Sequence, residues 1–471
     1  MTTHYLPYIR RVTKVLLLAG QYSLTLLLSA LLLNSCAVYS RVNNDHIENE
    51  AVSRDWIYKL EMPIARSGDT LLMLGFSGGG TRAAAFSYGV LEELRDTKII
   101  TPTGHYRLLD EVDSISSVSG GSFTAAYYGL FGDRIFDDYE QKFLKNNVQK
   151  ILLNGILNPF NWWKMLTTGF DRTELAVDYY DNDIFEGKTF GDLKRAHGPY
   201  IQINATDLSL GSRFPFTQGF FDLLCADYDN FSIARAVAAS SAVPVAFAPI
   251  VIKNYDTCNI EFPAWFSATR EQAKKDLRLA EIVKTIDSYV DKSKRRYIHL
   301  VDGGITDNLG VRALYDRVIL LGSTRRAAGQ LLKKNKVNKI VVLLVNAQTH
   351  ASQPMEQSED EPSVNEVIDA VTDAQLQRYN TESLILVENS LKKWATDLST
   401  AKRIVKPYFI HIDFDSIADT KTRQLFNNIA TSFSLPAHEV EDLVSTARAL
   451  LRWHPVYQEL VHDLQNGPLP R

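Results

Sequence analysis

Three things are scarce in this 471-residue sequence: cysteine, net charge and a histidine placed where a catalytic base would sit. Cysteine occurs three times, too few for a disulfide scaffold. The formal net charge is −4, with 45% hydrophobic and 23% charged residues. That balance gives no basic surplus for a nucleic-acid partner and is the composition of an ordinary globular chain. No internal repeat is visible, which argues against a solenoid. No cluster of His, Cys, Asp or Glu has metal-ligand spacing, so the sequence assigns no metal and no cofactor. The length suffices for a large core, and one large α/β domain can absorb it.

The first 35 residues lack Asp and Glu altogether. Arg10, Arg11 and Lys14 precede an apolar stretch from Val15 to Leu33, which runs into Leu33-Asn34-Ser35-Cys36. A basic start, an apolar segment and small residues before a cut describe an export signal. The segment resembles a bacterial lipoprotein signal. That resemblance implies that Cys36 is diacylated through its sulfur and becomes the N-terminus, and that Ala37 permits transfer to the outer membrane. The expectation is therefore a lipid-anchored bacterial membrane protein facing the periplasm or the surface. An uncleaved signal anchor is the alternative, since the apolar run approaches the length of a membrane span. Residues 36–66 are polar and weakly patterned, as a tether would be. Export also places Cys225 and Cys258 in an oxidising compartment, where they are expected to pair; two buried free thiols are the alternative.

Regular structure begins at Thr70–Phe76 (TLLMLGF), an apolar run fitting a buried strand. Further strands are expected at Val112–Ser117, Tyr200–Thr206, Arg296–Val301 and Lys339–Asn346, with a late one at Tyr408–Asp413. Helices are expected at Arg82–Leu94, Ser122–Leu130 and Phe231–Ser241. Strands alternating with helices predict an α/β fold of three layers, a mostly parallel sheet flanked by helices. The expected catalytic domain spans 67–350, with a helical insertion at about 260–295. Residues 351–471 read as a mainly helical extension packed on it, with helices over 363–400 and 421–466.

Three glycine-rich turns each follow a predicted strand. In parallel sheets, sites lie outside the carboxyl ends of strands. The first turn is Gly78-Gly79-Gly80-Thr81-Arg82, whose amides at a helix start suit an anion. Gly75 and Gly80 have P-loop spacing, but Thr81-Arg82 stands where Lys then Ser/Thr is required, which argues against a nucleotide. The second is Ser117-Val118-Ser119-Gly120-Gly121, a nucleophile elbow with serine in place of the first glycine. The third is Asp302-Gly303-Gly304. None of the ten histidines sits in a strand-end turn. His299 lies three residues before Asp302, so alternation points it to the opposite face. A direct Ser119–Asp302 dyad is the better reading. A carboxylate is a weak base for a hydroxyl, so the oxyanion site must compensate.

These motifs, in this order and joined by Ala239-Ser240-Ser241-Ala242-Val243-Pro244, resemble the patatin-like phospholipase family over about residues 68–350. The resemblance implies a serine lipid acyl hydrolase acting on a membrane lipid. Ser119 would be its nucleophile, Asp302 its base, and the amides of Gly78, Gly79 and Gly80 its oxyanion hole. Arg82 would orient the loop or a lipid phosphate, with a structural contact to the next helix as the alternative. The Ala239–Pro244 segment would serve packing beside the site. Ser117 departs from the family's glycine. A catalytically silent lipid-binding or scaffolding lipoprotein of the same fold is the competing reading.

Overall fold

The computed structural model of the chain describes residues 41–48, 69–101, 104–158, 171–244, 246–262, 264–320, 324, 337–350, 355 and 359–466. Cys36 and the expected signal segment 1–35 lie outside the described residues.

The centre is an eight-stranded sheet. In chain order its strands are β1 (Thr70–Phe76), β2 (Val112–Val118), β3 (Tyr200–Asp207), β4 (Ser212–Pro215), β5 (Ile250–Lys253), β6 (Tyr297–Val301), β7 (Lys339–Val345) and β8 (Lys406–Ile412). Across the sheet they lie in the order β8-β7-β1-β2-β3-β6-β5, with β4 also on β3. The strands from β8 to β3 are mutually parallel. β6 runs antiparallel to β3 and β5, and β4 antiparallel to β3.

Strands β1, β2 and β7 are buried at every position, which requires cover on both faces. Alternation sorts the side chains. Leu72, Leu74 and Phe76 of β1 join a core with helices α1 (Gly80–Asp96), α2 (Gly120–Phe131) and α3 (Ile233–Ser240). Leu71 and Met73 face the other way, meeting Ile340, Val342 and Leu344 of β7. The long helix α4 (Val364–Leu398) covers that face through Val387, Leu391 and Trp394. Ser363 and Glu366 start this helix with a reciprocal capping box, satisfying amides the first turn leaves open. The layers are thus helix, sheet, helix, as expected.

Two regions outside the motifs also reach the sheet. The C-terminal extension is mainly helical and supplies the late strand expected near Tyr408. Its strand β8 pairs residue for residue with β7, from Lys406 on Lys339 to Ile412 on Val345, and its helix α5 (Ala437–Trp453) lies along α1. Gly89 of α1 makes that approach possible, since a Cβ there would meet the Val444 carbonyl at 2.4 Å. Residues 41–48, inside the segment expected to serve as a tether, also contact the core. Buried Asn44 exchanges hydrogen bonds with the Lys253 backbone at 2.9 and 2.8 Å, and the Ile47 amide donates to the Cys225 carbonyl. This polar segment docks here because the Asn44 side chain pairs with the backbone of β5 and the Ile47 amide with the Cys225 carbonyl.

The 260–295 segment forms two helices, Ala264–Ala273 and Leu277–Val290. Leu279, Val283 and Ile286 bury one stripe of the second, the spacing of an amphipathic helix.

Candidate active site

β2 ends at Val118 and α2 begins at Gly120, so Ser119 occupies the turn between them. Its backbone sits at φ 49°, ψ −123°, a region costing a non-glycine residue about 1–3 kcal/mol unless its surroundings impose it. Here they do. The Ser119 amide donates to Ser240 Oγ at 2.8 Å, and the Ser122 amide returns to the Ser119 carbonyl at 2.9 Å. Gly120 is obligatory by contact: a Cβ there would stand 1.9 Å from the Gly80 carbonyl oxygen. The first glycine turn therefore lies directly on the elbow. Ser117, the departure from the elbow pattern, is wholly buried and donates to the Gln202 carbonyl of β3 at 3.3 Å.

The aspartate arrives by an unexpected route. β6 is antiparallel, so the rule for parallel strands does not deliver it. β6 touches β3 only through Thr206–Val301 and Asp207–Leu300, so it overhangs the end of β3 and its own end points back toward the elbow. Gly303 then rests on Asn204, where a Cβ would be 2.3 Å from the Asn204 oxygen. Asn204 is the register partner of Val118. The result is contact between turns far apart in sequence: Ser119 Oγ donates to Asp302 Oδ2 at 2.8 Å. Oδ1 of the same carboxylate accepts the Gly304 amide at 2.7 Å, fixing its rotation. Both side chains are buried, Ser119 4% and Asp302 8% exposed. Burial pushes the Asp302 carboxyl up to about 6, against the downward pull of the Gly304 amide and the Ser119 hydroxyl. It is ionised at neutral pH yet a better base than an exposed aspartate. His299 is exposed on β6.

The expected oxyanion donors are only partly available. The Gly78 amide is spent on the Asn308 carbonyl at 2.9 Å, and the Thr81 amide on the Ser432 carbonyl at 2.9 Å. Among the described residues, the amides of Gly79 and Gly80 donate to no backbone carbonyl. The three-amide expectation therefore narrows to these two, because Gly78 instead ties the first turn to the third. Gly79 and Gly80 adopt φ 136° and 58°, open to glycine at no steric cost.

Arg82 is 3% exposed. Its guanidinium donates to the carbonyls of Ala347 and Ile429 and to Thr431 Oγ1. Burial lowers its pKa to about 10, still charged at neutral pH. Each of these bonds is internal, so the residue braces the glycine turn against the C-terminal region.

Sequence reasoning missed the role of Ser240. Ser240 lies in the segment read as packing, and only its Ala-Ser-Ser-Ala context hinted at the site. Cys225 and Cys258, expected to pair, are joined in a disulfide with Cα atoms 5.5 Å apart.

A family model described as patatin-like phospholipase matches residues 74–315, a little over half of the chain. No curated protein matches. Among solved structures, human GIVD cytosolic phospholipase A2 matches at 11% identity with a TM-score of 0.45, covering 88% of this chain and 64% of that one. The same protein in complex with methyl gamma-linolenyl fluorophosphonate matches at 11% identity and a TM-score of 0.38, covering 88% and 61%. The chain thus spans somewhat less than two thirds of these structures.

Proposed function

The chain belongs to the patatin-like phospholipase family, and from that premise we propose that it is a serine lipid acyl hydrolase of the phospholipase A or lysophospholipase type, with Ser119 as nucleophile and Asp302 as its base. The observation that carries the reading is the 2.8 Å hydrogen bond from Ser119 Oγ to Asp302 Oδ2, made by a serine at positive φ under a glycine turn. Ser119 Oγ attacks the ester carbonyl carbon, and its proton passes to Asp302. The oxyanion that forms is held by the Gly79 and Gly80 amides at the start of α1, where the helix dipole favours negative charge. Collapse expels the alcohol, which takes the proton back from Asp302. Water then attacks the acyl-enzyme and Asp302 accepts its proton; collapse breaks the bond to Ser119 Oγ, Asp302 returns the proton to that oxygen, and a fatty acid leaves. Val243, 40% exposed, and Ile305, 45% exposed, stand within three residues of Ala242 and Asp302 and offer apolar rim to an acyl chain.

We place the enzyme on a bacterial membrane through acylated Cys36; metabolic labelling with palmitate should be lost in Cys36→Ala. The hydrolase reading is tested with a fluorophosphonate probe and with fatty-acid release from phospholipid vesicles. Wild type should label and release acid, and Ser119→Ala should do neither. Full labelling of Ser119→Ala rejects the assignment. A folded wild type that neither labels nor turns over favours a silent lipid-binding scaffold.

A further inference from the structure

Ser240 stands at the last turn of α3, wholly buried, and its hydrogen bonds run to both halves of the dyad. Its Oγ accepts the Ser119 amide at 2.8 Å and donates to the Asn204 carbonyl at 2.6 Å. The Ser122 hydroxyl lies 3.1 Å from the same oxygen. Its own carbonyl accepts the Gly303 amide at 3.0 Å, and two residues on the Ala242 carbonyl accepts the Asp302 amide at 2.9 Å. One short segment therefore holds the nucleophile's backbone by a side chain and the base's backbone by two carbonyls.

We propose that Ser240 is a positioning residue of the dyad, whose hydroxyl holds the elbow at positive φ and sets the reach of Ser119 Oγ to Asp302. The role rests on the hydrolase reading above, but the geometry behind it is its own. An elbow backbone that costs about 1–3 kcal/mol relaxes when its restraint is removed. Nothing else described receives the Ser119 amide, and without Ser240 Oγ that buried donor has a reason to turn toward another acceptor. A shift of an ångström at a nucleophile costs up to about a hundredfold in rate.

Ser241 supplies the control. It is equally buried, at 2%, but its Oγ donates only to the Val237 and Ala238 carbonyls of its own helix. Ser240→Ala and Ser241→Ala remove the same atom from adjacent positions. Ser240→Ala should slow fluorophosphonate labelling and lower kcat by at least about tenfold at little changed KM; Ser241→Ala should stay within threefold. The second readout is the titration of Asp302, followed by the carboxyl carbon shift in selectively labelled protein. Because the Ser119 hydroxyl holds this carboxyl down, its titration should move to higher pH in Ser240→Ala and stay put in Ser241→Ala. Should Ser240→Ala not fold, Ser240→Cys, which keeps a weak acceptor, takes its place with the same two expectations at smaller size. Equal losses in the Ser240 and Ser241 variants, or an unmoved Asp302 titration in the Ser240 variant, overturn the proposal. A wild type that turns over no ester sinks the hydrolase reading instead, and the Asp302 titration still decides this one.

Discussion

Residues 74–315, which match the family model, carry every motif of the site, whereas residues 337–466 carry none. Yet the second region completes what the first begins. It adds β7 and β8 to the sheet, receives the Thr81 amide at Ser432, and receives the Arg82 guanidinium at Ala347, Ile429 and Thr431. The two regions divide the work by kind of group. The motif-bearing region contributes side chains with chemistry, the other mostly backbone carbonyls. Carbonyls leave no mark in a sequence, since any residue supplies one. A region can therefore be structurally necessary to a site and invisible to motif reading.

The sharpest test removes a chemical group from the first region alone. Asp302→Asn keeps the shape and the acceptor for the Gly304 amide but discards the base. It should fold normally and lose about a hundred- to ten-thousandfold in kcat, the range that general base catalysis supplies. Thermal melting together with fatty-acid release from vesicles checks it. A loss below tenfold in a folded variant would break the division, because the chemistry would then lie elsewhere.

The next largest effect comes from the boundary. Gly80 and Gly89 both belong to α1, and both touch the C-terminal region. A Cβ on Gly80 would stand 2.4 Å from the Ser432 oxygen, and one on Gly89 2.4 Å from the Val444 oxygen. Of the two, only Gly80 is also proposed as an oxyanion donor. Gly80→Ala should therefore cost about a hundredfold in labelling rate. Gly89→Ala should lower the melting temperature but leave the folded protein active. If the two variants lose activity alike, the boundary acts through global packing and not through the glycine turn.

Much of this site was legible because its motifs are local. The run TLLMLGF reads as a buried strand because each of its positions meets another layer, and β1 covers those same residues. The Ser119 turn is readable because steric limits on a sharp strand-to-helix turn demand small neighbours. The direction of β6 was not legible, since a five-residue strand has the same pattern run either way. Nor was the loss of the Gly78 amide to Asn308, because a sequence does not say which backbone donor is already engaged. Arg82 was undecided for a related reason: a buried brace and a phosphate ligand use the same side chain, and only its three internal partners separate them.

Acid should separate the regions more gently. In the first region burial raises Asp302 and Asp307 to about 6 and Asp113 to about 8. In the second, Asp463 is held low, burial notwithstanding, by hydrogen bonds from Lys406 and Tyr408. A carboxylate raised on folding binds its proton more tightly in the folded state, so its contribution to stability grows as pH falls from the folded pKa toward the ordinary 3.8. A carboxylate held low contributes above the ordinary value and loses that contribution only as pH falls through its lower folded pKa. Neither kind of group unfolds the protein at pH 5. Activity, in contrast, needs ionised Asp302 and should fall about tenfold between pH 7 and pH 5, with the limb near 6. A pH–rate profile run beside melting curves checks this, and a limb that tracks loss of fold would contradict it.

The smallest expected effect bears most directly on the comparison, because it changes a side chain of the second region and reads the chemistry of the first. Thr431 Oγ1 receives Arg82 Nη2 at 3.0 Å; the other two partners of the guanidinium are carbonyls and stay in place in Thr431→Ala. Losing one bond to a charged donor costs about 1.5–3 kcal/mol where the donor is left unpaired, and water at this part-buried edge can replace some of that. If Arg82 transmits the loosening to Gly79 and Gly80, kcat should fall several-fold with KM nearly constant, since an oxyanion donor acts mainly in the transition state. Arg448→Ala is the matched control. Arg448 also bridges the regions, from α5 to Glu92 and Asp96 of α1, but it is part-exposed and far along the helix from the glycine turn. Pairs of that kind contribute at most about 1 kcal/mol, so its removal should soften melting slightly and leave kcat unchanged. A Thr431→Ala enzyme indistinguishable from the Arg448→Ala enzyme would mean that the second region supports the first only as bulk, and that the guanidinium is rigid enough on its two carbonyls alone.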